Sequence, residues 1–254
     1  MLSQQGINGA MLQQLNLTAL LRSLKCQDHS EASLARHTGL SPSAVNRLVG
    51  MLKEHGFVVE TDDFLDTVRG RKGRVLALNP ELCTAIGVEL TDVAVCGIVA
   101  DFAGNILGST EVALADNSPD CVSNSIFQVV GDLQPHCHAP LYGVTVAAHG
   151  FVDLEEGVLV TFPGNPNWEP LPLAEQLSAK VEVPVTLQVR LHAAAIAELH
   201  YRAGSVADPL LYFNSGPGNG FGVGIISGGR LLRGCRGLAG NFGHLVVEPN
   251  GRQC

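Results

Sequence analysis

The stretch SLARHTGLSPSAVNRLVGML, residues 33–52, holds two segments of helical apolar spacing separated by a short break. The first segment ends at Gly39, and the second restarts at Ser41 and Pro42. A serine in front of a helix satisfies free N–H groups, and proline fits the first turn because its missing N–H is not needed there. A helix, a tight glycine turn and a capped second helix predict a helix-turn-helix.

The second predicted helix has an apolar side and a polar side. The apolar side is expected to face a small core and contains Val45, Leu48, Val49 and Leu52. The polar side faces outward and contains Ser41, Ser43, Asn46 and Arg47. Asparagine can pair with adenine and arginine with guanine in a major groove, although arginine also contacts phosphates. We expect this side to contact DNA; the alternative is a purely structural three-helix unit.

The flanking segments extend this unit to a winged helix over residues 11–80. Apolar spacing over residues 11–24 predicts a preceding helix. Residues 57–60 and 75–78 alternate like strands, and the segment 61–67 between them is acidic and turn-like. The tip of this hairpin is basic and could meet phosphates or a minor groove through Arg69, Arg71, Lys72 and Arg74.

Charge is divided unevenly along the chain. Residues 1–80 contain nine Lys/Arg and seven Asp/Glu, a net of +2, whereas the remaining residues carry a net of −10. A nucleic-acid-binding head on an acidic body is one interpretation, and chance variation between domains is the other. No apolar run approaches the ~20 residues of a membrane helix, and no signal peptide is recognisable. The seven cysteines form no Cys-x-x-Cys pair, which favours a cytoplasmic protein with reduced thiols.

After Asn79 and Pro80, where we expect a domain boundary, the pattern becomes mixed α/β. An apolar run over 85–99, a turn at 101–105 and a strand over 106–114 predict a β-meander. The pattern continues with helices over 122–133, 171–181 and 193–201 and strands over 141–147 and 185–189. A strand from Leu210 enters a Gly-rich run over 216–224. This run could cradle a phosphate with backbone N–H groups or form a tight turn.

From about residue 12, the chain resembles the ROK family of repressors, open reading frames and sugar kinases. The motifs that carry the resemblance are Gly87-Val88-Glu89, residues 101–107, 164–168 and 193–198, the run 218–226 and residues 240–244. The resemblance implies an α/β fold with an N-terminal winged helix-turn-helix and an actin-like, ribonuclease H-like body. Its domains would be a flexible leader (1–10), the winged helix (11–80), a first lobe (81–207) and an incomplete second lobe (208–254). In that incomplete lobe, Ile225, Ile226, Leu231 and Leu232 are expected to lack packing partners.

Departures from the family's kinases argue against catalysis. Residues 89–92 replace a glycine-containing phosphate loop, and Asn219 replaces a threonine in a second one. Arg190 stands at the position of the catalytic aspartate. A guanidinium stays protonated and cannot accept the proton of a sugar hydroxyl. We therefore expect no catalytic residue and no enzyme activity, with an unusual sugar kinase as the alternative.

The resemblance also implies an effector site. It would involve Asn165, Asn167, Arg190, Asn241 and His244. Asn241 replaces the family's glutamate, which changes a charged acceptor into a neutral one. Arg190 could bind an acidic or phosphorylated sugar, or could instead pair with a neighbouring carboxylate; His149 would line the same cleft.

His244 and Cys254 match the spacing of the first two ligands of a zinc site found in some family members. Two of the four ligands do not make a closed site, so we expect no cofactor here; a longer parent chain could bind zinc. The expected function is a repressor of carbohydrate metabolism that binds operator DNA as a dimer or tetramer. Its signal would be a sugar or, alternatively, a sugar-transport protein, and no membrane association is expected.

Overall fold

The computed structural model describes residues 8–65, 73–201, 208–216, 220–246, 248–249 and 251. These residues divide into two compact units. The first, the head, contains the residues up to Thr84 together with Ala100–Ile106 and His138–Pro140, and the second, the body, contains the others. Within the described ranges, no helix is both long and apolar enough to cross a membrane.

Three helices and a two-stranded sheet build the head. They are α1 (Gly9–Cys26), α2 (Glu31–Thr38), α3 (Pro42–Glu54), β1 (Val58–Leu65) and β2 (Gly73–Leu78). The side chains of Asn8, Ser30 and Ser41 cap the three helices. Gly39 ends α2 at φ 71°, a left-handed conformation that glycine adopts without steric cost. The helix-turn-helix prediction is confirmed.

One apolar cluster joins the elements of the head. As predicted, α3 contributes Val45, Leu48, Val49 and Leu52, and they meet Leu20, Leu24, Leu34, Val58, Leu76 and Leu78. A buried polar residue, His29, lies between α1 and α2 and pairs with Leu76 of β2 through backbone hydrogen bonds. Its ring nitrogens lie 3.0 Å from Ser23 Oγ and 2.9 Å from Ser33 Oγ. The imidazole therefore connects both helices without leaving either nitrogen unsatisfied.

The wing strand is longer than the sequence predicts. β1 pairs with β2 from Val58 to Leu65, whereas we expected a turn from residue 61 onward. The register shifts between Thr61 and Phe64, so Asp62 and Asp63 form an irregularity while the ladder continues beyond them. Such a bulge absorbs residues that do not fit an alternating pattern. The predicted tip residues Arg69, Arg71 and Lys72 lie outside the described residues.

The body begins with a five-stranded sheet in the order β5-β4-β3-β6-β9, in which β6 and β9 are parallel. Its elements are β3 (Thr84–Leu90), β4 (Ala94–Asp101), β5 (Ile106–Ala113), α4 (Pro119–Leu133), β6 (Leu141–Ala148), β7 (Phe151–Asp153), β8 (Val158–Thr161), α5 (Leu173–Val181) and β9 (Val185–Val189). Buried residues of α4 and α5, including Ile126, Val129 and Leu177, pack with those of the sheet. The carboxyl ends of β6 and β9 thus lie side by side, at the edge where α6 begins.

Two local features of the body escaped prediction. The apolar run 85–99 is two strands, because the Thr91 hydroxyl accepts the N–H groups of Val93 and Ala94 and closes a turn. The hairpin of β7 and β8 was not expected at all. Its strands are only three and four residues long, too short for an alternating pattern to be recognised.

After β9, the chain forms α6 (Arg190–Tyr201), β10 (Leu210–Gly216), β11 (Gly220–Ser227) and β12 (Arg230–Leu231), and these three strands make an antiparallel sheet. Helix α6 packs so closely on β11 that a Cβ on Gly224 would lie 2.5 Å from Ala195 Cβ. Ile226, on the same face, is only 1% exposed, so the expectation that it lacks partners is wrong. Leu232 is exposed, as expected.

Candidate functional site

The predicted DNA-reading side of α3 is exposed in the structure. Ser41, Ser43, Asn46 and Arg47 all face outward from the first two turns. The Ser41 hydroxyl accepts from the N–H of Ala44 at 3.3 Å, so it serves as the cap of the helix. Arg47 forms no hydrogen bond or ion pair with any described residue, which leaves its guanidinium available to an external acceptor.

Asn46 has a partner that the sequence did not reveal. Its Nδ2 donates to Oε2 of Glu31, 3.2 Å away in the first turn of α2. A carboxylate oxygen can only accept, so the nitrogen of the amide must face Glu31. No spacing rule joins residues 15 positions apart on two different helices, and the contact becomes visible only once α2 packs against α3.

At the described base of the wing, cations are paired with a carboxylate. Arg74 Nη1 lies 2.6 Å from Glu60 Oε2, and Lys53 donates to the other carboxylate oxygen. The hydrogen bonds from Lys53 and then Arg74 lower the pKa of Glu60. Because Arg74 already has an anionic partner, it would have to exchange Glu60 for a phosphate on binding DNA.

In the body, a small pocket lies where the start of α6 meets the loop after β12. It has a volume of about 40 Å³, is partly open to solvent and is lined by Gly150, Phe151, Val189, Leu191, His192, Val223 and the segment 237–241. This volume exceeds the roughly 10–15 Å³ that one water molecule needs. Of the residues predicted for an effector site, Asn241 lines this pocket, whereas Asn165, Asn167 and Arg190 do not.

His192 is the buried polar group of this pocket, and it was not predicted. The side chain is 1% exposed, and Nε2 lies 3.2 Å from the carbonyl oxygen of Ala239. A carbonyl only accepts, so Nε2 carries the proton and Nδ1 is the acceptor. Nδ1 has no hydrogen-bond partner among the described residues.

Burial is the main cause of a lowered pKa for His192; the hydrogen bond to Ala239 opposes it, and the charge of Arg233 adds to it. The imidazole is therefore held in its neutral form. A neutral imidazole nitrogen that accepts can bind a hydroxyl or N–H donor, whereas it offers no positive charge to an anion.

Arg190 and Glu89 form an ion pair with 3.3 Å between Nη1 and Oε1. Arg190 starts α6 and Glu89 lies near the end of β3, so the pair links the helix to the sheet. His149 follows β6 nearby, and its pKa is lowered by burial and by the Arg190 charge, with Asp92 acting in the opposite direction. The Arg190 guanidinium thus pairs with a neighbouring carboxylate, which is what we expected if Arg190 does not bind an acidic sugar.

Asn165 holds its own loop together. Its Nδ2 donates to the carbonyl oxygen of Asn117 at 2.8 Å, and its Oδ1 accepts from the N–H of Asn167 at 3.0 Å. Asn117 donates in turn to the carbonyl oxygen of Pro163. These bonds satisfy a turn and leave one N–H and one lone pair of Asn165 for any ligand.

Cys254 and the His244 side chain, on which the zinc prediction rests, lie outside the described part of the chain. Among the described residues, no three His, Cys, Asp or Glu side chains are grouped so that they could hold a metal ion.

Two family models match the chain. The ROK family matches residues 85–254, and the IclR helix-turn-helix domain matches residues 18–62. The two matches correspond to the body and to the helical part of the head.

Known proteins similar to this chain include repressors and kinases. It is 26% identical over 247 residues to the xylose repressor of Bacillus subtilis, which covers 96% of this chain and 63% of the repressor. It is 30% identical over 171 residues to the glucokinase of Thermotoga maritima, which covers 66% of this chain and 52% of the kinase.

A solved structure of a ROK family transcriptional regulator, a homologue of the E. coli MLC protein, has a TM-score of 0.68. At 21% identity this likeness concerns the fold, and it covers 96% of this chain and 62% of that one. The chain thus spans about three fifths of the length of these two regulators. Since the ROK family model matches residues 85–254, more than half of the chain, the chain belongs to the ROK family.

Proposed function

We propose that this chain is a DNA-binding transcriptional regulator that represses genes of carbohydrate metabolism. It would act in the cytoplasm on operator DNA, as a homodimer or tetramer. The observation that carries the proposal is the exposed polar side of α3, on which Asn46 and Arg47 stand at the second turn of a capped helix. A second helix of this kind enters the major groove in helix-turn-helix proteins. The similarity to a xylose repressor supports the biological context.

The body would serve as a sensor without phosphoryl transfer. By the resemblance, Arg190 would stand where the family's kinases carry the catalytic base, and its guanidinium forms an ion pair with Glu89. A guanidinium cannot take a proton from a sugar hydroxyl, so the chemical step has no base. The enzyme alternative predicts sugar-dependent ATP turnover by the purified chain; a rate above background that requires sugar would establish it.

The effector would be a neutral sugar or sugar derivative. The support is that His192 and Asn241 both line the pocket: His192 Nδ1 has no hydrogen-bond partner among the described residues, and the Asn241 amide can donate and accept. The described pocket lining contains no Lys, Arg, Asp or Glu, which favours a neutral ligand over an acidic one. No cofactor enters this proposal.

The regulatory step would be a shift between two arrangements of paired heads. Dimeric helix-turn-helix proteins read half-sites about 34–36 Å apart, and a ligand that binds one arrangement more tightly changes how often the spacing fits. This requires differential effector affinity between the two arrangements rather than tight binding alone.

Selection from randomised duplex DNA tests the proposal. The expected result is enrichment of a two-fold related motif, with affinity that falls steeply as salt rises from 50 to 200 mM by a factor of about 10³ or more. Absence of any enriched sequence and of salt-dependent retention would refute DNA recognition. Calorimetry against a panel of neutral sugars, sugar acids and sugar phosphates then identifies the effector. Flat traces throughout would favour control by a sugar-transport protein.

A further inference from the structure

The hydrogen bond between Asn46 and Glu31 brings an acidic side chain into contact with Asn46, a residue that we expect to contact a base. Glu31 is the first residue of α2 and is half-buried, whereas Asn46 is exposed on α3. At the start of a helix, a carboxylate is favoured by the partial positive charge of the free N–H groups. The N-terminus of α2 therefore attracts the Glu31 carboxylate independently of the hydrogen bond from Asn46.

The chemistry of the amide decides what this bond does. An amide nitrogen has two hydrogens, and Glu31 accepts one of them. The bidentate pairing of asparagine with adenine uses Oδ1 and one N–H along a single edge of the amide. When Glu31 accepts the Nδ2 hydrogen that points away from Oδ1, the Oδ1/N–H edge stays free. The same bond restricts rotation of the Asn46 amide about the Cβ–Cγ bond. The amide of an asparagine without such a partner would rotate about Cβ–Cγ and would point its Oδ1/N–H edge in several directions.

We propose that Glu31 is a positioning residue for DNA recognition: it orients the Asn46 amide so that the Oδ1/N–H edge faces the base pair. The inference rests on the proposed function, because it presumes that α3 reads DNA. Glu31 itself need not touch the nucleic acid. Its negative charge would weaken contact with phosphates in general, so its contribution is selectivity for one base pair and not affinity.

Two substitutions of Glu31 test separately the position of its acceptor oxygen and its negative charge. Glu31→Asp keeps the charge at the start of α2 but withdraws the acceptor from Asn46 by one methylene. Glu31→Gln removes the charge but keeps an oxygen acceptor at the same distance. Glu54→Gln is the matched control, because Glu54 is an exposed acid of the head with no hydrogen bond among the described residues.

The experiment is selection of randomised duplex DNA with the full chain and with each variant, followed by affinity measurements on the enriched sequence and its single-base variants. Asn46→Ala should abolish preference at one base pair of each half-site. Glu31→Asp should reduce preference at that same base pair by roughly threefold to tenfold, the range expected for loss of one hydrogen bond. Glu31→Gln should retain it, and Glu54→Gln should leave every position unchanged.

The remaining outcomes overturn the proposal. If Glu31→Asp keeps the wild-type preference, or if Glu31→Gln loses as much as Glu31→Asp, the bond does not orient Asn46. If Asn46→Ala changes no base pair, Asn46 is not a reader and Glu31 has nothing to position. Failure of the wild-type chain to enrich any sequence would instead count against the proposed function itself. Circular dichroism of each variant ensures that an unfolded head is not mistaken for a loss of preference.

Discussion

Arg190 Nη1 lies 3.3 Å from Glu89 Oε1, so an ion pair joins the first residue of α6 to the penultimate residue of β3. The Arg190 side chain is 14% exposed and the Glu89 side chain 48%. Solvent therefore screens one partner well and the other poorly, and the pair is intermediate between a surface and a buried salt bridge. By the resemblance to the family's kinases, Arg190 would stand at the position of the catalytic base and Glu89 in the segment that replaces a phosphate loop.

Substitution of Arg190 should cost stability without creating an enzyme. We expect Arg190→Met to lower the free energy of unfolding by about 1 kcal/mol through loss of the pair. Arg190→Asp should cost more, since it sets a second carboxylate against Glu89. Urea unfolding measures both, and ATP turnover with sugars should stay at background because the glycine-containing phosphate loop is also missing. Equal stability of the two variants would show that the Glu89 contact is electrostatically unimportant.

Arg47 and Arg74 should differ in their effect on operator binding. Arg47→Ala should lower affinity and relax preference at one base pair, because an unpaired guanidinium on α3 can reach a base edge. Arg74→Ala should lower affinity less and equally for all sequences, because Arg74 must first leave Glu60. Arg71→Ala, in the basic segment that the sequence predicts as the tip of the wing, should weaken binding without changing base preference.

The control for these arginines is Glu60→Gln. It removes the negative charge that Lys53 and Arg74 share, so binding to any DNA should strengthen and the salt dependence should steepen. Fluorescence anisotropy at several salt concentrations reports both quantities. A relaxed base preference in Arg74→Ala, or none in Arg47→Ala, would reverse the assignment of the two roles.

Effector binding should depend on His192 and not on Asn165. His192→Leu removes the buried acceptor and should reduce sugar affinity about tenfold, the cost of leaving a ligand hydroxyl without its partner. Asn165→Ala breaks two bonds inside its loop and should lower stability by about 1–2 kcal/mol with affinity unchanged. Calorimetry and thermal melts distinguish them. If Asn165→Ala lost sugar affinity while keeping full stability, Asn165 would be part of the effector site.

Gly224 should tolerate substitution less well than Gly222. A Cβ on Gly224 would lie 2.5 Å from the Leu191 carbonyl oxygen and 2.5 Å from Ala195 Cβ, both rigid parts of α6. On Gly222 the nearest atom is Leu191 Cδ1, the end of a side chain that can rotate. We expect Gly224→Ala to destabilise by about 2–3 kcal/mol and Gly222→Ala by less, measured by urea unfolding. The opposite order would mean that α6 can shift along the sheet.

The head was predictable because its signals are local. Ser41, Pro42 and Gly39 mark helix ends by their own chemistry, and the apolar spacing of α3 identifies its buried side without any tertiary information. The body was predictable as alternating elements but not at its irregular points. The Thr91 turn depends on one hydroxyl, and the bulge at Asp62 depends on pairing with a distant strand.

The candidate sites depend on contacts that no local pattern encodes. Glu31 meets Asn46 only after α2 packs on α3, and His192 becomes a buried acceptor only because Ala239 takes its other nitrogen. The resemblance to the ROK family implies that Arg190 stands where the family's kinases carry an aspartate. It could not show that Arg190 faces Glu89, since that depends on the distance between β3 and α6.

Acidification should destabilise the body through His149 and His192. Burial lowers the pKa of both below the 6.5 of an unfolded histidine, so the unfolded chain binds protons more readily than the folded one. Their stabilising effect is fully present above about pH 6.5 and is lost as pH falls toward the folded pKa values. Trp168 is the single tryptophan and hydrogen-bonds to Leu159 within the body, so its fluorescence follows the unfolding of this unit. Melts should shift to lower temperature from pH 7 to pH 5. His192→Gln should flatten this slope, and the exposed control His136→Gln should keep it; an unchanged slope in His192→Gln would mean that the imidazole is not held neutral.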